Sequence, residues 1–207
     1  MMYPNVKSAY ENIKSEIYFT KALYSNELSK RVDSEVFLKL ENQQLTGSFK
    51  IRGALNKLKV LLQSYPDIKK VVTASTGNHA AAVSYAAWKL GLNEIIFAPN
   101  SISESKRHNL KKQNIDLRLY GNQSVETEVY ARLFAEENKL PFVHPYNDLD
   151  IIAGQGTIAL ELMQQVDRFD AVYVPIGGGG LISRNFILFK SLNPQIRLSA
   201  VSRRMPQ

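Results

Sequence analysis

Short apolar runs alternate with longer helical patterns along most of this chain, and this alternation limits the possible folds more than any other feature. The short runs are rich in β-branched and aromatic residues, whereas the longer segments carry apolar residues at helical spacing. Such a rhythm predicts βαβ units, and therefore an α/β fold with a mainly parallel sheet covered by helices on both faces. Strands are predicted at residues 35–40, 70–73, 94–98, 115–120, 142–143, 171–176 and 196–201. Helices are predicted at residues 5–17, 48–62, 78–90, 122–139, 150–165 and 181–191, with one more that begins near Ser103.

The composition is that of a folded chain with a buried core. Of the 207 residues, 44% are hydrophobic and 22% are charged, which excludes an intrinsically disordered chain. The absence of cysteine excludes disulfides, thiolate metal sites and cysteine nucleophiles. No apolar run of about 18 residues and no secretory signal is visible, so we predict a cytoplasmic protein with no membrane partner. The net charge of +7 favours anionic partners, either nucleic acid or a small molecule that carries a phosphate or carboxylate.

Four consecutive glycines, Gly177–Gly180, directly follow one predicted strand and precede a predicted helix. Glycine lets the backbone turn sharply and approach a ligand closely, and a helix N-terminus directs free N–H groups toward an anion. The run therefore predicts a phosphate site, with a flexible strand-to-helix turn as the alternative. Neither the P-loop nor the Gly-x-Gly-x-x-Gly spacing is present, which indicates a phosphorylated cofactor other than ATP or NAD. A second glycine-rich stretch, Gly154–Gly156, does not follow a strand, and we interpret it as a closely packed helix start.

Two other predicted strand-to-helix junctions carry polar groups. Ser75–His79 combines hydroxyls, a glycine and main-chain N–H groups, which suits a substrate carboxylate, although an ordinary helix cap is an equal alternative. Lys50 begins another helix, whose dipole lowers the pKa of the amine toward the neutral form that Schiff-base chemistry requires. Taken alone, Lys50 is better explained as a solvated surface lysine. Because the carboxyl ends of parallel strands meet at one edge of a sheet, the three junctions together predict a pyridoxal phosphate site.

Four segments of the sequence resemble the fold-type II pyridoxal phosphate enzymes, and most closely their threonine/serine dehydratase and serine racemase branch. The segments are LKLENQQLTGSFKIRGA, TASTGNHAAAVSYAA, HPYND with IAGQGTIALE, and VPIGGGGLIS, in the order of the family. The similarity extends from about Phe19 to Val201. It implies a two-domain parallel-sheet architecture of the tryptophan synthase beta-like kind, pyridoxal 5'-phosphate as cofactor, and a small-molecule amino acid as substrate.

The resemblance also implies roles for individual residues. Lys50 would be the Schiff-base lysine and the base that removes the α-proton, Phe49 would pack beside the cofactor ring, and Asn78 would hydrogen-bond the 3-hydroxyl. Thr76 stands where serine racemases carry a serine that serves as second acid/base, so it is a second candidate catalytic residue. The cofactor phosphate would be held by Gly177, Gly178, Gly179, Gly180 and Leu181. The substrate carboxylate would be bound by Ser75, Thr76, Gly77, Asn78 and His79.

The implied function is that of a threonine/serine ammonia-lyase (dehydratase), which converts a 3-hydroxy amino acid to a 2-oxo acid and ammonia. Two alternatives stay open: a truncated, catalytically inactive relative that binds the cofactor, and serine racemase-like activity. The resemblance predicts a larger cofactor-binding domain from residues 1–70 and 150–207, and a smaller α/β domain from 71–149. Family members continue beyond the point that corresponds to Gln207, so we expect the larger domain to be incomplete. We further expect a homodimer, and neither a nucleic-acid partner nor a metal site.

Overall fold

A computed structural model describes residues 5–111, 115–182, 188–190 and 194–202 of the chain. Helices and strands alternate there largely as the periodicity predicts. In chain order they are α1 (Val6–Ile13), β1 (Ala22–Tyr24), α2 (Asn26–Val32), β2 (Phe37–Lys39), a 3-10 turn (Glu41–Gln43), α3 (Lys50–Ser64), β3 (Lys70–Ala74), α4 (Asn78–Lys89), β4 (Asn93–Ala98), α5 (Glu104–Lys111), β5 (Asp116–Leu119), α6 (Ser124–Glu137), α7 (Leu149–Gln165), β6 (Ala171–Pro175) and β7 (Arg197–Val201). Residues 180–182 and 188–190 are also helical, and the rest of the helix predicted at 181–191 lies outside the described residues.

The strands form three small sheets. β3, β4 and β5 pair in parallel, with Val72 opposite Ile95, and β6 pairs in parallel with β7. β1 and β2 form an antiparallel pair. The α/β class with mainly parallel strands is therefore confirmed, and the strands are divided among three sheets. Helix α3 packs against both α4 and α7.

Two apolar clusters form most of the core around these layers. One joins α3 and α4 to α1 and α7, through residues such as Ile13, Leu55, Val83 and Ile151. The other packs α6 against β3 and β4. Val143 belongs to the first cluster and also bonds to β3 through its backbone N–H, which donates to the Val72 carbonyl. The core thereby connects β3 with α3, the helix that begins at Lys50.

Helices α3 and α7 approach each other through glycines. A Cβ atom added to Gly154 would lie 2.5 Å from the Arg52 carbonyl oxygen, and one added to Gly53 would lie 2.8 Å from the Ile151 carbonyl oxygen. The close packing predicted for Gly154–Gly156 is therefore confirmed. The interpretation of that stretch as a helix start is wrong, because Asp148 caps the helix earlier by accepting from the backbone N–H groups of Asp150 and Ile151.

The remaining differences from the predicted elements are local. β1 and α2 were not predicted, because three and seven residues are too short to show a period. The brief strand predicted at 142–143 is a single bridge between Val72 and Phe142, and α1 ends at Ile13 rather than at residue 17. No helix within the described ranges combines the length and hydropathy that crossing a membrane requires.

Candidate active site

A cavity of about 230 Å³ lies between the start of α3 and the glycine run. It brings together three of the predicted features: the lysine, its neighbouring phenylalanine, and the glycines with the leucine that follows them. The lining residues are Phe49, Lys50, Tyr146, Pro175, Ile176, Gly177, Gly178, Gly179, Gly180, Leu181 and Ile182. Residues far apart in sequence therefore line one partly open cavity.

The glycine run leaves no room for side chains at two of its positions. A Cβ atom on Gly178 would overlap the ring of Tyr146, and one on Gly180 would lie 2.8 Å from the Tyr146 carbonyl oxygen. Gly179 has a φ of +82°, in the left-handed region that favours glycine. Residues 180–182 are helical, so the run leads into a helix start, and the N-terminal end of a helix is the end that suits an anion. This bare backbone is the surface that a phosphate group needs for close approach.

Lys50 begins α3 and is half-buried at the cavity rather than solvated. Its Nζ donates to the Pro145 carbonyl oxygen at 2.6 Å and lies 5.4 Å from the centre of the Phe49 ring. Burial lowers the pKa of Lys50 below its usual value. No carboxylate among the described residues pairs with it, so no anion offsets the effect of burial, which shifts the lysine toward the neutral, nucleophilic amine.

The Ser75–His79 segment follows β3 and begins α4, but it does not line the cavity. Ser75 and Thr76 are half-buried, whereas Gly77 and Asn78 are exposed. The Ser75 hydroxyl accepts from the Gly77 N–H at 3.3 Å, which is a local turn contact. The first turn of α4 retains backbone N–H groups without an intrahelical acceptor. The segment thus offers main-chain donors at the start of α4, and none of its residues belongs to the cavity lining.

His79 differs from its neighbours because only 3% of its surface is exposed. Its Nε2 lies 3.2 Å from the Val143 carbonyl oxygen, so Nε2 carries the proton and Nδ1 is bare. Burial, reinforced by the nearby charge of Lys50, lowers the pKa of His79 to about 3. The neutral ring in this tautomer has no second N–H to offer a carboxylate. The backbone of His79, rather than its ring, is therefore the part suited to substrate binding.

Buried polar atoms without partners surround the start of α3. Among the described residues, the Thr46 hydroxyl, the Ser48 hydroxyl and His79 Nδ1 have no hydrogen-bond partner. Buried polar groups are nearly always satisfied, so such a cluster indicates room for a polar ligand. Together with a lysine whose pKa is lowered by burial and a glycine backbone that a phosphate can approach, these residues fit a phosphorylated carbonyl cofactor such as pyridoxal phosphate.

A buried ionic cluster on the other side of α3 was missed at the sequence level. Arg52 is fully buried and bonds to both oxygens of Glu41 and both oxygens of Glu161, at 2.6 to 2.9 Å. Lys39 Nζ donates to Glu161 at 2.5 Å, and Thr20 Oγ1 donates to Glu41 at 2.5 Å. The signal was present: Arg52 adjoins Ile51 on the buried face of α3, and Glu161 interrupts an apolar stretch of α7. The cluster ties α3 to α7 and to the β1–β2 region.

The segment of residues 143–147, here called the crossing segment, contains most of the HPYND motif, but no role was predicted for its residues. It runs from the end of β3 to the cavity, where the Pro145 carbonyl accepts from Lys50 and Tyr146 lies against the glycines. Its sequence, VHPYN, showed a turn but not its contacts, since the essential groups are backbone carbonyl and N–H groups.

Comparisons with known proteins agree with the fold and the cavity. The family described as pyridoxal-phosphate dependent enzyme matches residues 13–206. An L-threonine ammonia-lyase of Thermotoga maritima is 40% identical over 197 residues, which are 95% of this chain and 49% of that protein. A catabolic L-threonine dehydratase of Staphylococcus aureus is 39% identical over 95% of this chain and 57% of its own length. The structure of maize serine racemase superimposes with a TM-score of 0.87 at 36% identity, covering 94% of this chain and 59% of that one.

The chain thus spans about half the length of the curated relatives that it matches. The family match extends over nearly the whole chain, and it includes the lysine, the crossing segment and the glycine run that meet at the cavity. The predicted fold type and cofactor class are confirmed by this match. The chain belongs to the family of pyridoxal-phosphate dependent enzymes.

Proposed function

We propose that this protein is a pyridoxal phosphate-dependent ammonia-lyase that converts threonine or serine to the corresponding 2-oxo acid and ammonia. One observation carries the proposal: a single cavity joins a half-buried lysine of lowered pKa to a glycine run that is free of side chains. The relatives named L-threonine ammonia-lyase and L-threonine dehydratase, at 40% and 39% identity, favour this reaction over others of the family.

The residues around the cavity suit distinct tasks in this reaction. Lys50 would bind the cofactor carbonyl through Nζ and then accept the α-proton of the substrate at the same atom. Gly177–Gly180 and Leu181 would hold the phosphate, and Phe49 would pack beside the ring. Asn78 would contact the 3-hydroxyl, and main-chain N–H groups of Ser75–His79 would bind the substrate carboxylate. When bound, pyridoxal phosphate supplies the electron sink that stabilises the substrate carbanion.

Serine racemase-like activity is a second candidate, favoured by the similarity to maize serine racemase. It would require a proton donor on the face of the substrate opposite Lys50, and Thr76 is the hydroxyl proposed for that role. The extra methyl of threonine restricts its rotamers relative to serine. We therefore rank elimination above racemisation.

The two-domain division is also part of the proposal. We assign residues 71–149 to the smaller domain, because the sheet β3–β5 and α6 fall within that range apart from Lys70. Residues 1–70 and 150–207 would form the larger domain, in which Arg52 and Glu161 join α3 to α7. The cytoplasmic location, the homodimer and the absence of a nucleic-acid partner stay predictions.

Cofactor capture and turnover provide the test. The purified 207-residue chain is incubated with pyridoxal phosphate and reduced with borohydride, and the labelled peptide is identified by mass spectrometry. Lys50 should carry the label, Lys50→Ala should abolish it, and Lys30→Ala, at an exposed lysine, should retain it. The release of 2-oxobutanoate from threonine then reports elimination, and the formation of D-serine from L-serine reports racemisation. Labelling at Lys50 without either product would support the binding-only alternative, whereas no labelling would overturn the proposal.

A further inference from the structure

The crossing segment is anchored at its start by three hydrogen bonds. The Val143 N–H donates to the Val72 carbonyl at 2.7 Å, and the Val143 carbonyl accepts from the Thr73 hydroxyl at 2.8 Å and from His79 Nε2 at 3.2 Å. Val143 itself is fully buried. These bonds fix where the segment leaves β3, but they do not set the conformation of the residues that reach the cavity.

His144 constrains the conformation of these residues. Its Nδ1 accepts from the backbone N–H groups of Tyr146 at 3.2 Å and of Asn147 at 2.9 Å. Its Nε2 lies 3.2 Å from a carboxylate oxygen of Glu128 on α6, and only 8% of the residue is exposed. Since Nδ1 accepts two hydrogen bonds, the proton must be on Nε2, where it points to the carboxylate. The ring is therefore held at both ends in one tautomer.

The backbone that His144 folds contacts both sides of the cavity. The Pro145 carbonyl lies between the two ends of the His144 turn and accepts from Lys50 Nζ at 2.6 Å. The Tyr146 ring meets the His144 ring edge to face at 4.7 Å and lies against Gly178 of the glycine run. One side chain thus sets the acceptor for the lysine and the aromatic wall beside the phosphate cradle.

We infer that His144 is a positioning residue: through the turn that it closes, it orients the Pro145 carbonyl toward Lys50 and Tyr146 toward the glycine run. This inference rests on the proposed cofactor site, and His144 touches neither cofactor nor substrate in it. The turn depends on a bare Nδ1, so protonation of the ring removes the acceptor for both backbone N–H groups. The site should therefore loosen in acid.

Several charged groups face the ring. Glu128 and Arg132 lie on α6, Asp148 precedes α7, Lys50 begins α3, and His79 belongs to α4. Burial, with Arg132 and Lys50, lowers the pKa of His144, while Glu128 and Asp148 act in the opposite direction. The net direction favours the neutral ring that the turn requires.

Two substitutions separate the two ring nitrogens. In His144→Asn the side-chain oxygen takes the place of Nδ1 and can accept from both backbone N–H groups, but it does not reach Glu128. In His144→Gln the amide nitrogen can reach Glu128, but the acceptor at the δ position is lost. We expect the Tyr146 and Asn147 amide hydrogens to exchange with solvent about tenfold faster in His144→Gln than in the original chain. In His144→Asn they should exchange at about the rate of the original chain. This exchange is measured by NMR without cofactor.

The same pair is then tested with pyridoxal phosphate. Borohydride labelling of Lys50 should require about tenfold more cofactor in His144→Gln and should be nearly unchanged in His144→Asn. Lowering the pH should speed amide exchange in the original chain relative to His144→Asn. The inference would be overturned if His144→Gln matched the original chain in amide exchange and in the labelling of Lys50. It would also be overturned if both variants lost amide protection and labelling to the same extent. If the original chain fails to capture cofactor, the proposed function fails, and amide exchange alone then decides the role of His144.

Discussion

Lys50 and Arg52 are two residues apart on α3, yet their surroundings are opposite. Arg52 is fully buried, and each of its three nitrogens donates to a carboxylate. Lys50 donates only to a backbone carbonyl, beside the hydroxyls of Thr46 and Ser48 and His79 Nδ1, which are unpartnered among the described residues. Burial with partners keeps a cation charged and structural, whereas burial without them favours the neutral form. The same helix therefore carries a paired, charged anchor on one side and, on the other, a buried amine without a carboxylate partner among the described residues.

The ionic cluster should be the more sensitive of the two to mutation. Arg52→Met retains most of the packing volume but leaves Glu41 and Glu161 with Lys39 as their cation among the residues that the structure describes. We expect the free energy of unfolding to fall by about 4 kcal/mol, measured by urea denaturation followed by circular dichroism. The control Arg31→Met breaks the exposed pair with Glu27 and should cost about 0.5 kcal/mol or less. A loss below about 1 kcal/mol for Arg52→Met would show that the cluster does not anchor α3.

Acid should weaken the cavity side through His79. Its pKa is about 3 in the fold, below the usual 6.5, so the unfolded chain binds more protons between these values. The free energy of unfolding is therefore unaffected by His79 above pH 6.5 and falls as the pH decreases from 6.5 toward 3. The loss reaches about 3 kcal/mol at pH 4.5. His79→Gln, which keeps a donor for the Val143 carbonyl, should flatten this part of the pH profile of unfolding. His108→Gln, at an exposed residue, should leave it unchanged.

The glycine contact between α3 and α7 should hold both regions in place. Gly154→Ala would force the added methyl against the Arg52 carbonyl, and we expect a loss of about 2 kcal/mol despite the better helix propensity of alanine. Gly77→Ala is a matched control, since nothing lies within 4 Å of its added Cβ and its φ is −138°. Thermal unfolding of the two variants compares them directly, and equal midpoints would contradict the close contact.

Removing the unpaired cation should have the smallest effect on stability. Lys50→Met deletes an amine whose burial disfavours its charge, so the free energy of unfolding at pH 7 should be unchanged or higher by up to about 1 kcal/mol. Because the folded pKa of Lys50 is lowered, this advantage should shrink as the pH rises toward 10.5, the usual lysine value. Urea titrations at pH 7 and pH 10 measure both. A clear loss of stability at pH 7 would show that Lys50 is an anchor like Arg52.

Local patterns in the sequence were enough for most helices and for the parallel strands, because burial imposes a period on each element. They could not predict which strands pair, since β1 and β2 are short and their partners depend on contacts distant in sequence. Lys50 and Gly177–Gly180 could be predicted to share one site because their residue types indicate their properties: lysine has an amine, and consecutive glycines leave the backbone without side chains. The roles of Pro145 and Val143 could not be predicted. Both act through a backbone carbonyl oxygen, which every residue has, so the residue type gives no indication of the contact. The pairing of Arg52 with Glu161 could have been predicted, because both charged residues lie on otherwise apolar faces of their helices, where a charge needs a partner.

The Gly53–Gly154 contact has a consequence for attempts to reshape the cavity by directed evolution. Mutations in the facing surfaces of α3 and α7 would displace the lysine before they altered the pocket, so they should be rejected in any selection. Tyr146, Ile176 and Ile182 line the cavity and lie outside that contact. Libraries restricted to these three positions would sample new pocket shapes on an unchanged frame.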